Sequence, residues 1–279
     1  MNEIISKRQL SETIWLYVVQ SKEVSRNARA GQFVVIRPYA DSERIPLTLC
    51  DFDASRETIT LMVQTVGLTT KELSTLNVGD SIADVVGPLG KETELDMFDN
   101  IALVAGGVGI AVVYPQAKRL LSLGKKVTVL LGARNKDLLV FADELNKLEG
   151  AEVKYCTDDG SFGLKGNVVT LLTQTVEEKH FDALFVAGPV IMMKFVAEFC
   201  KKINLRAVAS LNPIMIDGTG MCGGCRVLVG GVVKYACVEG PDFDASLVDF
   251  SDLMNRNAFY REQEQHKCNL FSVEGKSNG

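Results

Sequence analysis

The middle of the chain alternates short apolar runs with segments of helical spacing. The apolar runs begin at Ile101, Val127, Ala151 and Ala183, and a fifth covers 206–210. Unbroken apolar runs of this length are typical of strands that are buried on both faces. Helices are expected over 110–123, 137–148, 167–175 and 190–202. Strands that alternate with helices predict a parallel sheet wound on both faces, here an α/β domain over residues 99–211.

Residues 1–98 have a different pattern. Short β-branched or aromatic runs lie at 13–19, 32–37 and 58–64. Turn residues such as Gly31 and Gly79 separate these runs, an arrangement that suits short antiparallel strands. We therefore expect a small antiparallel β barrel ahead of the α/β domain, with a short helix beginning next to Thr70.

Glycine-rich turns follow three of the predicted parallel strands. The turns contain Gly106-Gly107-Val108-Gly109, Asp159-Gly160 and Gly188-Pro189. Glycine at such a turn lets backbone N–H groups approach a pyrophosphate at the helix N-terminus. One such turn is common in any α/β domain. Three of them meet at the carboxyl edge of one sheet, where ligands of these folds bind, and together they predict a dinucleotide site.

Arg134 follows the second predicted strand. Its guanidinium is placed either to face an adenosine ribose or phosphate or to be a solvated loop group. An acidic residue at the end of this strand would bind the 2′-hydroxyl of the ribose, and the strand has none. The sequence therefore leaves the choice between NAD and NADP open.

Three of the seven cysteines lie within sixteen residues, as Cys222, Cys225 and Cys237. Thiolates spaced this closely on a glycine-rich loop point at one centre, and soft sulfur ligands select an iron–sulfur cluster or zinc. Either centre requires a fourth ligand, and both histidines are far away in sequence. Asp217 stands where a first ligand would stand, although Asp217-Gly218 also suits a simple turn. The remaining candidates for a fourth ligand are Cys156 and Cys200.

Composition narrows the classes of function. The formal net charge is −5, and the basic residues are spread along the chain, which argues against a nucleic-acid partner. No apolar run reaches the ~18 residues that a membrane span requires. The start of the chain also has no apolar segment of signal-peptide length. We expect a cytoplasmic protein in which the isolated cysteines are small buried hydrophobes, namely Cys50, Cys156, Cys200 and Cys268.

The order of these features resembles the ferredoxin–NADP reductase superfamily over residues 1–271. The resemblance rests on a barrel followed by GGVGIA at 106–111, DDGSFG at 158–163, AGP at 187–189 and the cysteine cluster. Within the superfamily it points to the branch that contains the electron-transfer subunits of dihydroorotate dehydrogenase, which carry four cysteines. Here Asp217 replaces the first cysteine. With PLT at 46–48 and NAFYRE at 257–262, the chain is similar to the small-subunit family of NADH-dependent reduced ferredoxin:NADP oxidoreductases, also described as sulfide dehydrogenases or electron-bifurcating transhydrogenases.

The resemblance implies three cofactors. FAD would be bound by Pro46, Leu47, Thr48, Met62, Val63, Gln64, Thr69 and Thr70. NAD(H) would be bound by Gly106, Gly107, Val108, Gly109, Asp159, Gly160, Gly188 and Pro189. A [2Fe–2S] cluster would be bound by Asp217, Cys222, Cys225 and Cys237. Ile45 holds the place of the arginine in the flavin motif of the superfamily and Arg44 comes one residue earlier, so a contact between Arg44 and FAD stays open.

The resemblance also implies an activity and a partner. We expect hydride exchange between NAD(H) and FAD, and exchange of single electrons with a cluster on segment 212–240. The chain would form a heterodimer with a larger subunit that carries a second FAD and further clusters. Residues 241–279, a C-terminal helix and polar tail, would contact that subunit. Two alternatives remain: the electron-transfer subunit of dihydroorotate dehydrogenase itself, and a non-catalytic binding module clipped by zinc.

Overall fold

The computed structural model describes residues 2–277, with side chains over residues 2–269. The first part is an antiparallel sheet. Its strands are β1 (Ile4–Gln9), β2 (Ile14–Gln20), β3 (Phe33–Arg37), β4 (Ile45–Asp53), β5 (Thr58–Gln64) and β6 (Asp84–Leu89). They pair in the order β1-β2-β5-β4-β3-β6. The N–H of Ile4 donates to the Asp80 carbonyl at 2.8 Å, and Glu3 pairs with Ser81, so the chain ahead of β6 returns to β1 and closes the barrel.

Side chains alternate between the two faces of these strands, and those on the inner face form the barrel core. Tyr17 and Val19 on β2 face inward, as do Ile59 and Leu61 on the neighbouring strand β5. Two short helices cover the barrel, α1 (Lys22–Asn27) and α2 (Leu68–Thr75). The short helix predicted next to Thr70 is confirmed as α2.

The second part is a parallel sheet with helices on both faces. Its strands are β7 (Asn100–Gly106), β8 (Lys126–Ala133), β9 (Ala151–Thr157), β10 (Leu164–Lys165), β11 (Ala183–Ala187) and β12 (Ala207–Ser210). Its helices are α3 (Ile110–Ser122), α4 (Ala142–Asn146), α5 (Val168–Glu178) and α6 (Val190–Lys202). The strand order is β10-β9-β8-β7-β11-β12, so the winding direction reverses between β7 and β11. This reversal opens a crevice outside the carboxyl ends of these two strands.

One predicted helix was wrong in extent. The helix expected over 137–148 is a short 3₁₀ turn at Lys136–Leu138 followed by α4. Phe141, between the two, has the left-handed φ of 68°. Its ring is buried against Tyr114 on α3, with ring centroids 4.9 Å apart. Burial of the Phe141 ring therefore outweighs the helical spacing of this segment.

The C-terminal part packs onto the edge of the parallel sheet. Its elements are the hairpin β13 (Arg226–Val229) and β14 (Val232–Tyr235), then α7 (Ala236–Glu239), β15 (Asp242–Asp244), α8 (Phe250–Asn257) and α9 (Arg261–Ser277). Strand β15 pairs antiparallel with β12. Cys225 and Cys237 share one hydrophobic core with Phe250 and Leu253 of α8 and with Phe33 of the barrel. The last two residues of the predicted polar tail, 278 and 279, lie outside the described residues.

Over the described residues, the helices include none whose length and apolar character would suit it to cross a bilayer.

Helix α8 depends on a side-chain cap, which gives a test of the C-terminal packing. The carboxylate of Asp249 accepts hydrogen bonds from the N–H groups of Ser251 and Asp252, both at 3.0 Å. We expect Asp249→Ala to lower the free energy of unfolding by about 1 kcal/mol, and Asp249→Asn to leave it nearly unchanged because asparagine caps equally well. Urea denaturation measures both values. Equal losses in the two variants would show that the cap does not stabilise α8.

Candidate functional site

A large cavity lies between the barrel and the crevice at β7 and β11. Its volume is about 1450 Å³. Pockets for a single small ligand are typically ~300–1000 Å³, so this cavity has room for two ligands side by side. The cavity is therefore a candidate site in which a group bound by the barrel meets a group bound by the sheet.

Most of the predicted cofactor residues line this cavity. From the barrel they are Pro46, Leu47, Thr48, Met62 and Gln64. From the α/β domain they are Gly106, Gly107, Val108, Gly109, Arg134, Gly188 and Pro189. The two sets come from segments far apart in sequence, and the fold brings them to opposite walls of one space.

The turns after β7 and β11 are in direct contact. A Cβ on Gly109 would lie 2.2 Å from the Ala187 carbonyl oxygen, and one on Gly188 would lie 3.1 Å from the Gly106 nitrogen. Gly107 has φ of +54°, and no heavy atom lies within 4 Å of the point where its Cβ would be. The two turns therefore pack closely against each other at Gly109 and Gly188. At Gly107 the backbone stays uncovered by other atoms. At the start of α3, such a surface fits a pyrophosphate.

Other predicted residues lie outside the cavity lining. Val63 points into the barrel core, and Thr69 is also buried. The Thr70 hydroxyl accepts from the Gly67 N–H at 3.0 Å and donates to the Gly67 carbonyl at 2.8 Å, so it caps α2. These contacts occupy the Thr70 side chain with the helix itself.

Asp159 and Gly160 form the turn after β9, and they are likewise absent from the lining of the cavity. The Asp159 carboxylate accepts from the Ser161 N–H at 2.9 Å. Hydrogen bonds from Ser161 hold the pKa of Asp159 below its ordinary value. Gly160 has φ of +78°. The two residues therefore shape the turn, while the neighbouring Asp158 reaches the cavity.

The predicted cluster ligands are partly brought together. The sulfurs of Cys225 and Cys237 lie 3.1 Å apart, and both residues are buried free thiols. Burial, the hydrogen bond with Cys225 and the nearby Cys225 and Cys222 sulfurs raise the pKa of Cys237 to about 12. Crowded thiolates without a cation are costly, and a metal centre would relieve that cost. The two buried sulfurs therefore suit a shared metal–sulfur centre, which needs further ligands.

Asp217 has a local partner. Its carboxylate accepts hydrogen bonds from the Thr219 N–H at 3.0 Å and from the Thr219 hydroxyl. These bonds, with a smaller contribution from the charge of Arg44, hold the pKa of Asp217 below its usual range. No group of three or more Cys, His, Asp or Glu side chains in the described part of the chain is arranged to hold a metal ion. Asp217 as a ligand stays a prediction.

The cysteine loop lies directly on the barrel. A Cβ on Gly218 would be 2.7 Å from a Leu89 methyl and 3.3 Å from a Val35 methyl, and Gly218 has φ of +83°. Arg44 is exposed and faces this loop electrostatically, since its charge acts on Asp217. The loop that carries the candidate ligands therefore abuts the barrel strands β3 and β6.

Several residues that line the cavity escaped the sequence analysis. They are Phe33, Asn212, Pro213, Met215 and Pro241, with Ile191 and Phe195 of α6. Asn212-Pro213 follows the fifth parallel strand, so its position at the carboxyl edge was a usable signal. Phe33 and Pro241 carried no such signal, because each looks like an ordinary strand or turn residue.

The contact at Gly109 predicts a specific sensitivity. Gly109→Ala places a methyl against the Ala187 carbonyl, so we expect a loss of about 1–3 kcal/mol in the free energy of unfolding from overpacking. Dinucleotide affinity, measured by calorimetry, should fall as the turn shifts. Gly124→Ala is the control, since its φ of +74° strains an alanine and lowers stability while Gly124 is absent from the cavity lining, so its affinity should match wild type. Equal affinity in both variants would contradict this account.

Comparisons with known proteins agree with these observations. Residues 103–198 match the oxidoreductase NAD-binding domain, and residues 212–249 match the iron–sulfur cluster binding domain of dihydroorotate dehydrogenase B. The chain is 46% identical to a dihydroorotate dehydrogenase B (NAD(+)) electron transfer subunit homolog of Thermotoga maritima, over 95% of this chain and 93% of that one. It is 32% identical to the electron transfer subunit of Streptococcus pneumoniae strain R6, over 88% of this chain and 96% of that one.

Solved structures extend the comparison. A chain from the structure of NADH-dependent reduced ferredoxin-NADP oxidoreductase superposes with a TM-score of 0.91 at 43% identity, covering 97% of this chain and 98% of that chain. The Amycolatopsis cytochrome P450 reductase GcoB superposes with a TM-score of 0.62 at 17% identity, over 72% of this chain and 65% of that one, which shows the shared fold alone. These comparisons confirm the fold class predicted from the sequence. They also confirm the resemblance of the chain to the family of NADH-dependent reduced ferredoxin:NADP oxidoreductases.

A barrel, an NAD-binding α/β domain and an iron–sulfur cluster binding segment thus follow one another in a single chain, and this chain, an oxidoreductase subunit, belongs to the family of dihydroorotate dehydrogenase B electron-transfer subunits and their homologues.

Proposed function

We propose that the chain is the small subunit of an electron-bifurcating, NADH-dependent ferredoxin:NADP oxidoreductase. It exchanges hydride between NAD(H) and FAD, and single electrons between FAD and a [2Fe–2S] cluster. The observation that carries the proposal is a cavity shared by the barrel and the sheet, with the cysteine loop seated on the barrel strands β3 and β6. Further support comes from the likeness to the reduced ferredoxin-NADP oxidoreductase, whose structure is described in terms of flavin-based electron bifurcation.

Domain limits follow from the same proposal. Residues 1–98 bind FAD, 99–211 bind NAD(H) and 212–240 bind the cluster, while 241–279 contact a larger flavin and iron–sulfur subunit. Nicotinamide, flavin and cluster, when bound, supply the hydride and single-electron chemistry. The work of the chain is to hold these groups, orient them and keep water out.

On the nicotinamide side, backbone groups do most of the binding. Gly107, Val108 and Gly109 line the cavity just ahead of α3, where their N–H groups can bind a pyrophosphate with help from the helix dipole. Gly188 and Pro189 form the neighbouring turn and line the same cavity. Arg134, directly after β8, lines the cavity, so its guanidinium is placed to bind a ribose or a phosphate.

On the flavin side, strand β4 supplies a polar edge. Pro46, Leu47 and Thr48 pair with Val35, Val34 and Phe33 of β3 in antiparallel register. This pairing fixes the Thr48 hydroxyl and the Pro46 ring at the cavity wall, where the hydroxyl can hydrogen-bond a flavin edge. Met62 and Gln64 on β5 line the same wall.

The cluster segment is held by packing rather than by the metal alone. Cys225 and Cys237 are buried in the core that contains Phe33 and Leu253, so two thiols are positioned before any metal is bound. Cys222 is exposed on the loop and would supply the third thiolate. A carboxylate in place of a fourth thiolate changes the donor strength and charge at the cluster, both of which tune its reduction potential.

The role of Asp217 is open to direct test. We expect Asp217→Ala to lose or destabilise the reconstituted cluster, and Asp217→Cys to retain a cluster with altered g-values and reduction potential, because the ligand changes from oxygen to sulfur. Electron paramagnetic resonance and redox titration measure both. Thr219→Val is the control, since it removes one hydrogen bond from the Asp217 turn and keeps the carboxylate. Unaltered spectra in Asp217→Ala would refute ligation by Asp217.

Thr48 gives a second test, at the flavin. We expect Thr48→Val to slow flavin reduction by NADH about tenfold, since loss of one hydrogen bond at a reacting ring costs about 1.4 kcal/mol. Stopped-flow absorbance measures the rate constant. Thr60→Val is the matched control, because Thr60 lies on barrel strand β5 and is absent from the cavity lining. A protein that purifies colourless with bound zinc would overturn the whole proposal.

The second candidate is an electron-transfer subunit of dihydroorotate dehydrogenase. It is favoured by the match of residues 212–249 to the cluster-binding domain of that enzyme and by the names of the relatives. Co-purification separates the two candidates. A partner that oxidises dihydroorotate supports the second, whereas a partner that contains further flavin and iron–sulfur clusters and reduces ferredoxin supports the first.

A further inference from the structure

Asp242 is a half-buried residue at the start of β15 whose carboxyl group faces the interior. One oxygen, Oδ2, accepts a hydrogen bond from the Thr93 hydroxyl, and the Ser210 hydroxyl is a second donor to the carboxyl. The other oxygen, Oδ1, is shielded from solvent and has no donor. A buried oxygen without a donor destabilises the ionised form of an acid much more than the neutral form.

The two donors belong to different parts of the protein. The Thr93 N–H donates to the Ala30 carbonyl of the barrel at 3.0 Å, and the Thr93 hydroxyl accepts from the amide of Gln116 on α3. Ser210 ends β12 and pairs with Asp242 across the sheet edge. The Asp242 carboxyl therefore joins the barrel, helix α3 and the last parallel strand through three polar side chains, Thr93, Gln116 and Ser210, that are themselves buried.

This junction forms part of the wall of the cavity. Ser210 and Pro241, on either side of the carboxyl, both line the cavity. A Cβ on Gly90 would lie 2.8 Å from the Phe33 ring and 3.1 Å from Pro241, so the segment before Asp242 touches the barrel. The Lys91 N–H donates to the Gly240 carbonyl at 2.7 Å and the Leu211 N–H to the Pro241 carbonyl at 2.9 Å. A shift at Asp242 therefore moves both walls.

The charged groups around Asp242 leave its charge uncompensated. Arg119 on α3 donates to the Thr93 carbonyl at 2.8 Å and pairs with Asp96 at 2.6 Å. Lys91 reaches this region through its backbone, and Glu92 pairs weakly with Arg119 at 3.9 Å. Asp244, on the same strand, bonds Ser246. Over residues 2–269, no salt bridge includes Asp242, and burial raises its pKa to about 6 in spite of the Ser210 and Thr93 hydrogen bonds.

We propose that Asp242 is a positioning residue that sets the barrel against the NAD-binding sheet, and that the neutral carboxyl holds this arrangement while the ionised carboxyl loosens it. Asp242 itself is absent from the cavity lining. It acts through Ser210 and Pro241, and its protonation makes the geometry of hydride exchange dependent on pH. This last consequence rests on the proposed function, whereas the effect on stability does not.

The sign of the pH dependence follows from the raised pKa. The ordinary pKa of an aspartate carboxyl is 3.8, and the pKa of Asp242 in the folded chain is about 6. The folded chain therefore binds the proton more tightly than the unfolded chain. The stability that this proton contributes is fully present below the pKa of Asp242 in the unfolded chain. It is lost as pH rises through the pKa of Asp242 in the folded chain. A difference of about two pH units corresponds to a change of up to about 100-fold in the folding equilibrium constant.

The test compares Asp242→Asn with Asp244→Asn in the full chain loaded with FAD and cluster. Asparagine mimics the neutral acid and cannot ionise. We expect Asp242→Asn to gain stability over wild type as pH rises from about 4 to about 8, approaching 100-fold in the folding equilibrium constant. Asp244→Asn should follow wild type throughout. Urea denaturation at each pH measures the stability, and stopped-flow reduction by NADH should show an inflection near pH 6 in wild type and Asp244→Asn that is missing in Asp242→Asn.

Ser210→Ala provides a second variant. It removes one donor to the carboxylate, so the stability transition should move to higher pH in this variant, even where Asp242→Asn folds poorly. Identical pH profiles of stability in wild type, Asp242→Asn and Ser210→Ala would overturn the inference. A stability effect without any pH dependence in flavin reduction would reduce Asp242 to a structural role and overturn its positioning role. Failure of the wild-type chain to bind FAD would overturn the proposed function and leave the stability result intact.

Discussion

The reversal of strand order between β7 and β11 is the constraint on which the rest of the structure depends. Helices that follow these two strands leave on opposite faces of the sheet, so their first turns separate and open a crevice. Gly109 and Gly188 let the two turns touch at the base of that crevice. The barrel then closes the crevice from one side, and a cavity of about 1450 Å³ results. Two ligands can meet there because the barrel and the sheet each supply one part of the lining.

The cluster segment is integrated into this arrangement by a common hydrophobic core. Cys225 and Cys237 are buried with Phe33 of the barrel and Leu253 of α8, while β15 extends the parallel sheet by one antiparallel strand. The cysteine loop is therefore part of the main hydrophobic core and is not a separate module on the surface. Its position relative to the cavity is set by packing, which is what an electron path of constant length requires.

The polar junction at Asp242 adds a different kind of constraint. Hydrophobic packing tolerates small shifts, whereas hydrogen bonds among Thr93, Asp242 and Ser210 require one arrangement of the surrounding elements. Burial of a carboxyl group at this point has a cost that an apolar residue would avoid. In return, the hydrogen bonds hold the barrel in one position relative to the sheet. Protonation of Asp242 affects how firmly this position is held.

The sequence by itself determined the order of elements, the glycine turns at Gly106–Gly109 and Gly188, and the cysteine loop, because each depends on local spacing and backbone freedom. It misplaced the helix around Phe141, whose ring is buried against α3, and it could not find Phe33 or Pro241 as cavity residues. Only the tertiary structure decided which side chains line the cavity, since that depends on contacts between segments more than a hundred residues apart, such as Thr93 with Asp242. Local patterns carry no record of such contacts, which arise when the barrel, the sheet and the C-terminal segment bury their apolar surfaces together.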